Sequence, residues 1–174
     1  MLNFKMKRVF ALILVNLVSL TIVFSQSSKA PVIYKEISGF QVVKSVFPTA
    51  EEIVQANEVW FKIVDAKKNV LGYCLSSKPY SSDIIGYNGP TPVIVVLDKN
   101  SVVQKVSILS NSETLAYINK LERQNFFKIW CGLSVKDALN VKATADSYSG
   151  ATITSVALRK NLDLILRKAY TKKL

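Results

Sequence analysis

The residue types best suited to holding a ligand lie in one short segment, residues 146–155, with the sequence DSYSGATITS. This is a turn of small residues that leads directly into an apolar periodic stretch, so we expect it to open a helix. Backbone N–H groups and the positive end of a helix dipole attract phosphate at such a place. Gly150 and Ala151 would let an oxyanion approach the backbone. The neighbouring hydroxyls belong to Ser149, Thr152, Thr154 and Ser155. The segment taken alone is equally consistent with an ordinary Ser or Thr N-cap beside a Gly turn.

The rest of the composition offers no catalytic constellation. The chain has no histidine, which excludes a Ser-His-Asp triad, a His-ligated metal site and a His general base. Its two cysteines, Cys74 and Cys131, are too few to hold a zinc ion or an iron–sulfur cluster. A disulfide between them and a pair of buried thiols both remain open, and we favour the disulfide for an oxidising compartment.

The N-terminus has the pattern of an export signal. Lys5, Lys7 and Arg8 precede an uncharged apolar run over residues 9–24, and small or polar residues follow. The run of about 16 residues is shorter than the roughly 18–20 of a comfortable membrane span. We therefore predict a signal peptide over residues 1–25, with an uncleaved membrane anchor as the alternative. Either one places the rest of the chain outside the cytoplasm, in the periplasm or on the outer face of the cytoplasmic membrane.

The net charge of +11 is spread along the chain rather than gathered in one tract. Aromatic residues do not alternate with the cations, so nothing indicates nucleic-acid binding. A solvated basic surface is the simplest interpretation. Docking to anionic lipid, to an acidic partner or to a phosphate-bearing cofactor is the functional alternative.

The elements that must position the 146–155 segment are predicted as an α+β fold, an antiparallel sheet built from hairpins with helices packed on one side. Residues 26–47 are interpreted as a linker and lead-in, and residues 48–174 as the folded domain. We predict a helix over residues 48–57, hairpin strands at 59–64 with 70–75 and at 92–97 with 102–109, a helix at 113–123, a helical turn at 135–139 and an amphipathic C-terminal helix over 152–170.

The spacing Asp146-x-x-Ser149-Gly150-Ala151-Thr152 resembles the flavinylation motif of the FMN-binding domain. That domain occurs in one component of the sodium-pumping NADH:quinone reductase, in one component of the related Rnf complex and in accessory flavoproteins of nitrous-oxide respiration. The resemblance implies a phosphoester between FMN and Thr152, made by a separate flavin transferase from FAD. It also implies that the transferase recognises Asp146, and that Thr154 and Ser155 form hydrogen bonds near the phosphate.

Two further segments resemble the same domain in the same order. Residues 86–90, GYNGP, match its glycine–tyrosine loop, and Ser112-Glu113-Thr114 matches a segment beside the flavin. By this resemblance Gly86 and Tyr87 belong to the site, and Glu113 and Thr114 are candidates to contact the flavin ring or ribityl chain. Taken singly, the two segments would be a strand turn and a helix N-cap. Many family members continue with a Pro-Gly turn, whereas residues 115–118 here are LAYI and more helical. Tyr117 and Tyr148 are the two candidates to stack on the ring.

The resemblance implies an exported electron carrier that exchanges electrons with a membrane iron–sulfur or quinone-linked redox protein and an extracytoplasmic acceptor. In such a protein the flavin supplies the redox chemistry, and the chain sets its position and potential. A non-redox extracytoplasmic module that binds an anionic ligand or a partner is the alternative from another class. A free-standing flavin enzyme is the least favoured, because no residue is marked as a proton donor.

Overall fold

The computed structural model of the chain describes residues 37–142 and 151–174. Its centre is a five-stranded antiparallel sheet in which the strands follow one another in chain order. The strands are β1 Glu52–Gln55, β2 Phe61–Val64, β3 Val70–Ser76, β4 Val93–Leu97 and β5 Val103–Ile108. The helices are α1 Ile37–Val46, α2 Leu115–Arg123, α3 Val135–Ala138 and α4 Thr152–Thr171, with 3-10 helices at Lys78–Tyr80 and Phe126–Trp130. The predicted α+β class is confirmed.

Aspartates close two of the hairpins. The Asp65 carboxylate accepts hydrogen bonds from the N–H groups of Lys67 at 2.9 Å and Asn69 at 2.8 Å, between β2 and β3. The side chain and backbone of Asn69 lower the pKa of Asp65. Asp98 accepts in the same way from Asn100 and Val102, both at 2.9 Å, between β4 and β5. These turns fix the register of the predicted hairpins.

β4 is the centre of the core, and all five of its residues are buried. Its alternate side chains enter two different clusters, as the period of two in a strand requires. Val93, Val95 and Leu97 pack with α4 and the Phe126–Trp130 helix, whereas Ile94 and Val96 pack on the side of α1. Burial on both faces explains why this strand is an unbroken apolar run in the sequence.

The predicted helix over residues 48–57 is wrong, because β1 lies there. Ile53 pairs with Ile63 of β2 and is buried in the α1-side cluster. The acids that suggested a first helical turn instead make ion pairs across the surface: Glu51 with Lys44 at 3.2 Å, and Glu52 with Lys68. Sheet pairing and burial thus outweigh the local helix signal.

Helix α1 lies on the face of the sheet opposite α4. It contacts β4 and β5, and Val43 in it is fully buried. The packed unit therefore includes the end of the segment that we interpreted as a lead-in, and the helices are not all on one side. α2, α3 and α4 keep the predicted arrangement, since their buried side chains share one cluster.

The favoured disulfide between Cys74 and Cys131 is not formed, and both cysteines are free. Cys74 is fully buried in the α1-side cluster, whereas Cys131 follows the 3-10 helix that packs on the other face. The sheet lies between the two clusters. Burial raises the pKa of the Cys74 thiol to about 12.

The predicted signal peptide or anchor, with most of the linker, lies outside the described residues. So do Asp146, Tyr148, Ser149 and Gly150. In residues 37–142 and 151–174 no helix combines the length and apolar character needed to cross a membrane.

Candidate functional site

Glu113 joins the three segments that the sequence singled out. Its Oε1 accepts a hydrogen bond from the backbone N–H of Asn88, in the 86–90 loop, at 2.7 Å. Its Oε2 accepts a hydrogen bond from the Thr154 hydroxyl, in the first turn of α4. One half-buried carboxylate thus connects the loop, the 112–114 segment and the C-terminal helix. Because both oxygens are engaged by the protein, Glu113 acts here as a clamp between segments.

The 86–90 loop needs its first glycine. The N–H of Gly86 donates to the carbonyl of Gly89 at 2.7 Å, which closes the loop. A Cβ on Gly86 would lie 2.7 Å from both Glu113 Oε1 and Thr91 Cγ2. Both distances are shorter than any real Cβ contact, so a larger residue would displace the carboxylate or the loop.

Thr114 holds the same loop from the other side. It occupies the N-cap position of α2, but its side chain makes no capping hydrogen bond. Its hydroxyl instead accepts a hydrogen bond from the Asn88 amide at 3.1 Å. α2 begins at the next residue, Leu115, so the predicted helical continuation after the 112–114 segment is confirmed.

A pocket opens where the loop and α4 meet. It has a volume of about 210 Å³ and is lined by Tyr87, Tyr117 and residues 151–154. The two tyrosine rings meet edge to face, with centroids 5.5 Å apart. Tyr87 and Ile153 are each 56% exposed, so the apolar wall reaches the surface. The volume is below the roughly 300–1,000 Å³ of sites that enclose a whole ligand, so a flat ring bound here would keep an exposed edge.

The floor of the pocket is the first turn of α4. Ala151 is its N-cap residue and has no side-chain oxygen to satisfy the first N–H groups of the helix. Thr152 follows it and is exposed, whereas Thr154 and Ser155 are 1% and 2% exposed. The Ser155 hydroxyl donates to the Thr152 carbonyl at 2.9 Å. In the described part of the 146–155 segment, the accessible hydroxyl is therefore that of Thr152.

The structure brings most of the predicted site residues together. Gly86, Glu113, Thr114 and Thr154 share one hydrogen-bonded or contacting cluster, and Tyr87, Tyr117, Ala151 and Thr152 line the adjoining pocket. Among the candidates for a Ser or Thr N-cap, Thr152 does not cap the helix, because the N-cap is Ala151.

Sequence reasoning missed Asn88, Thr91, Ile153 and Asn161. Asn88 is the variable position of the GYNGP loop, and Ile153 lies between two hydroxyl residues that drew attention away from it. Asn161 is fully buried and donates to the Thr91 carbonyl at 2.9 Å. Its signal was available: a polar residue stands on the apolar stripe of α4, between Leu158 and Leu162.

These features define a small α+β domain whose pocket suits a cofactor with a flat ring and a phosphate. The aromatic and aliphatic walls fit the ring. The start of α4 at Ala151, which has no capping oxygen of its own, and the Thr152 hydroxyl fit the phosphate. The groups that line this pocket are thus compatible with FMN.

Comparison with known proteins leads to the same class. Residues 86–166, from the 86–90 loop to the middle of α4, match the family model of the FMN-binding domain. This match supports an FMN-binding domain over that part of the chain.

A curated relative is a component of the ion-translocating oxidoreductase complex of Stutzerimonas stutzeri. It is 31% identical over 97 residues, which cover 51% of this chain. The matched region spans 42% of the length of that relative. The family and this relative together support an FMN-binding electron-transfer role.

Proposed function

We propose that the chain carries one FMN joined covalently to Thr152 and relays electrons outside the cytoplasm. The observation that carries this proposal is that Glu113 joins three separate segments beside one pocket, which has the exposed Thr152 at its floor. FMN, when bound, supplies one- and two-electron redox chemistry. The chain supplies the attachment point, the ring pocket and the contacts that order both.

Accessibility supports Thr152 as the attachment residue. A flavin transferase must bring a phosphate to the hydroxyl from outside, and Thr154 and Ser155 are buried and hydrogen-bonded. In the proposed maturation, Thr152 Oγ1 forms a bond to the flavin-side phosphorus of FAD. The bond between the two phosphates breaks, AMP leaves and the hydroxyl proton is lost. The backbone N–H groups at the start of α4 favour the negative charge that the phosphoester keeps.

The tyrosine pair supports the position of the ring. Tyr87 and Tyr117 form the aromatic wall of the pocket, and Ile153 forms an apolar wall beside Thr152. A ring held there remains partly exposed, because Tyr87 and Ile153 are themselves exposed. An exposed edge suits electron exchange with a partner protein better than it suits turnover of an enclosed substrate.

The relay and its location are also part of the proposal. The relative's name describes a component of an ion-translocating oxidoreductase complex. By analogy, we propose a membrane redox protein, iron–sulfur or quinone-linked, as one partner and an extracytoplasmic acceptor as the other. The basic, apolar N-terminus of residues 1–25 supports export or anchoring. A covalent link would keep the cofactor where no replacement is at hand.

The test is expression of the full chain with a flavin transferase and without it. We expect flavin fluorescence on a denaturing gel, and an added mass of one FMN, only when the transferase is present. Thr152→Ala should abolish both signals. Ser155→Ala is the matched control, because it removes a neighbouring hydroxyl that is buried, and it should keep the label.

Two results would overturn the proposal at different points. A wild-type chain that stays unlabelled with an active transferase would remove covalent FMN as its cofactor. A label that survives Thr152→Ala would leave FMN in place but move the attachment to another residue. The intact mass of the exported protein would also report whether residues 1–25 are removed.

A further inference from the structure

Asn161 is a polar residue in the apolar core of α4. It is fully buried, two turns beyond Thr154 along the same face of the helix. The two residues are seven positions apart, or about 10 Å along the helix axis. Neighbours Leu158 and Leu162 belong to the main core cluster. A buried amide side chain needs hydrogen-bond partners, and those partners show which segments of the fold it connects.

Among the described residues, the side chain of Asn161 makes three hydrogen bonds, all from its amide nitrogen. It donates to the Thr91 carbonyl at 2.9 Å, to the Thr91 hydroxyl at 3.2 Å and to the Ala157 carbonyl at 3.2 Å. Two of the three bonds therefore reach Thr91, which directly follows the 86–90 loop. Thr91 is fully buried as well. Asn161 thus ties the end of this loop to α4.

Stability alone does not favour an amide at this position. Within the described residues the Asn161 Oδ1 has no hydrogen-bond partner, so half of the buried amide is unsatisfied. A leucine would fill a similar space among Leu158 and Leu162 without that cost. The asparagine is better explained by the bonds to Thr91 than by packing.

The contacts form a closed circuit between the loop and the helix. Thr91 Cγ2 lies against Gly86, and Gly86 lies against the Glu113 carboxylate. Glu113 in turn accepts from Thr154 on α4. The loop is therefore held on one helix at two points, by Glu113 near the start of α4 and by Asn161 two turns later.

This arrangement decides the shape of the pocket. Tyr87 comes from the loop, whereas Thr152 and Ile153 come from α4, and all three line one cavity. A shift of the loop along α4 would move one wall of the cavity relative to its floor. With contacts at two separate points, such a shift requires both to break.

We propose that Asn161 is a positioning residue of the FMN site, which fixes the 86–90 loop on α4 through Thr91 and so sets Tyr87 relative to Thr152. The effect of Asn161 on the flavin rests on the proposed function, but the restraint that Asn161 places on the loop can be measured without flavin. Asn161 is not one of the residues that line the pocket, and its hydrogen bonds reach the loop through Thr91.

The first measurement is amide hydrogen exchange, by NMR, on the flavin-free protein. The reporters are the Gly86 N–H, bonded to Gly89, and the Asn88 N–H, bonded to Glu113. Asn161→Leu should raise exchange at both by about tenfold, as expected for loss of a local hydrogen-bonded restraint. Ile165→Val, one turn further along α4, is the matched core control and should leave both rates unchanged. Thr91→Val removes only the hydroxyl contact, so it should raise the two exchange rates less than Asn161→Leu does. Thr91→Ser keeps the hydroxyl and should raise the rates less than Thr91→Val does.

The second measurement is visible circular dichroism of the protein carrying FMN. Asn161→Leu should keep the covalent label, because Thr152 stays accessible, but should lose about half or more of the flavin dichroism as the ring loses its fixed surroundings. Ile165→Val should keep the wild-type spectrum. A purely structural role would lower the unfolding temperature and leave the spectrum of the folded protein unchanged.

The outcomes separate the two proposals. Wild-type exchange rates in Asn161→Leu, or an equal rise in Ile165→Val, would overturn the positioning role. A wild-type chain that takes no FMN would overturn the proposed function, and the exchange rates would still show whether Asn161 restrains the 86–90 loop. If Asn161→Leu fails to fold, Thr91→Val carries the test, and unchanged exchange in that variant overturns the inference.

Discussion

The hydroxyl of Thr154 donates its hydrogen bond to Oε2 of Glu113, across 41 residues of sequence. The other oxygen of the same carboxylate accepts from the backbone of Asn88. A residue that resembles a flavin contact in the sequence is therefore, in the structure, the joint between the first turn of α4 and the loop that faces it. This joint supports the first turn of α4, where the N-cap residue Ala151 makes no side-chain capping hydrogen bond within the described residues.

The first prediction concerns the energy of this joint. Glu113→Ala leaves the buried Thr154 hydroxyl and the Asn88 N–H without their acceptor, so it should lower the free energy of unfolding by about 2 kcal/mol. Thr154→Val should cost about 1 kcal/mol, and the double variant should cost less than the sum by about 1 kcal/mol. Urea denaturation of the four proteins measures this coupling. Strict additivity would show that the hydrogen bond contributes nothing.

The second prediction concerns Gly86. Gly86→Ala forces a Cβ into the space of Glu113 Oε1 and Thr91 Cγ2, and we expect a loss of about 1–3 kcal/mol with reduced FMN labelling. Gly132→Ala is the control. It has open space around it but a φ of +83°, and it does not line the pocket, so its cost of about 1–2 kcal/mol comes from backbone strain alone. FMN labelling should fall only in Gly86→Ala. An equal fall in both variants would show that the loss of labelling follows from lower stability and not from the position of Gly86.

The sheet and the last helix were predictable from sequence because their signals are local. The runs around β2–β3 and β4–β5 are β-rich and are separated by turns in which an aspartate carboxylate accepts hydrogen bonds from the backbone N–H groups of residues that follow it. The start of α4 follows from a Gly-containing turn and a regular apolar spacing. The residues around Pro48 gave an equally good local helix signal, yet Ile53 is paired and buried as a strand. Only the tertiary pairing with β2 distinguishes the two cases.

The site was predictable as a set of segments but not as a set of contacts. The 86–90 loop, the 112–114 segment and Thr152 each carry a recognisable pattern. A linear pattern does not show that the Glu113 carboxylate is engaged by other protein groups, or that Asn88 links the loop to Thr114. Such bonds depend on where α4 lies against the loop, which is decided by burial of its apolar face.

The third prediction concerns the tyrosine pair. Tyr87→Leu removes one wall of the pocket and the edge-to-face contact with Tyr117, at a cost in stability of about 0.5 kcal/mol because Tyr87 is exposed. Electron-rich phenol rings quench flavin fluorescence at contact. The native labelled protein should therefore become clearly brighter in Tyr87→Leu and in Tyr117→Leu. Tyr170→Leu, an exposed tyrosine at the far end of α4, should not change the brightness. Equal brightness in all four proteins would place the ring elsewhere.

The fourth prediction concerns pH and the buried thiol of Cys74. Desolvation raises the pKa of Cys74 to about 12 in the folded protein, against an ordinary value of 9.0. Above pH 9 the unfolded chain releases this proton while the folded chain keeps it, so the unfolded state gains stability. The contribution of the Cys74 proton to the free energy of unfolding is complete below pH 9.0. It should be lost as the pH rises toward 12, at about 1.4 kcal/mol per pH unit. Cys74→Ala should remove this part of the slope in urea denaturation between pH 9 and pH 10.5, and Cys131→Ala, at a half-buried site, should remove less. A wild-type slope that Cys74→Ala leaves unchanged would mean that the thiolate is accommodated in the folded core.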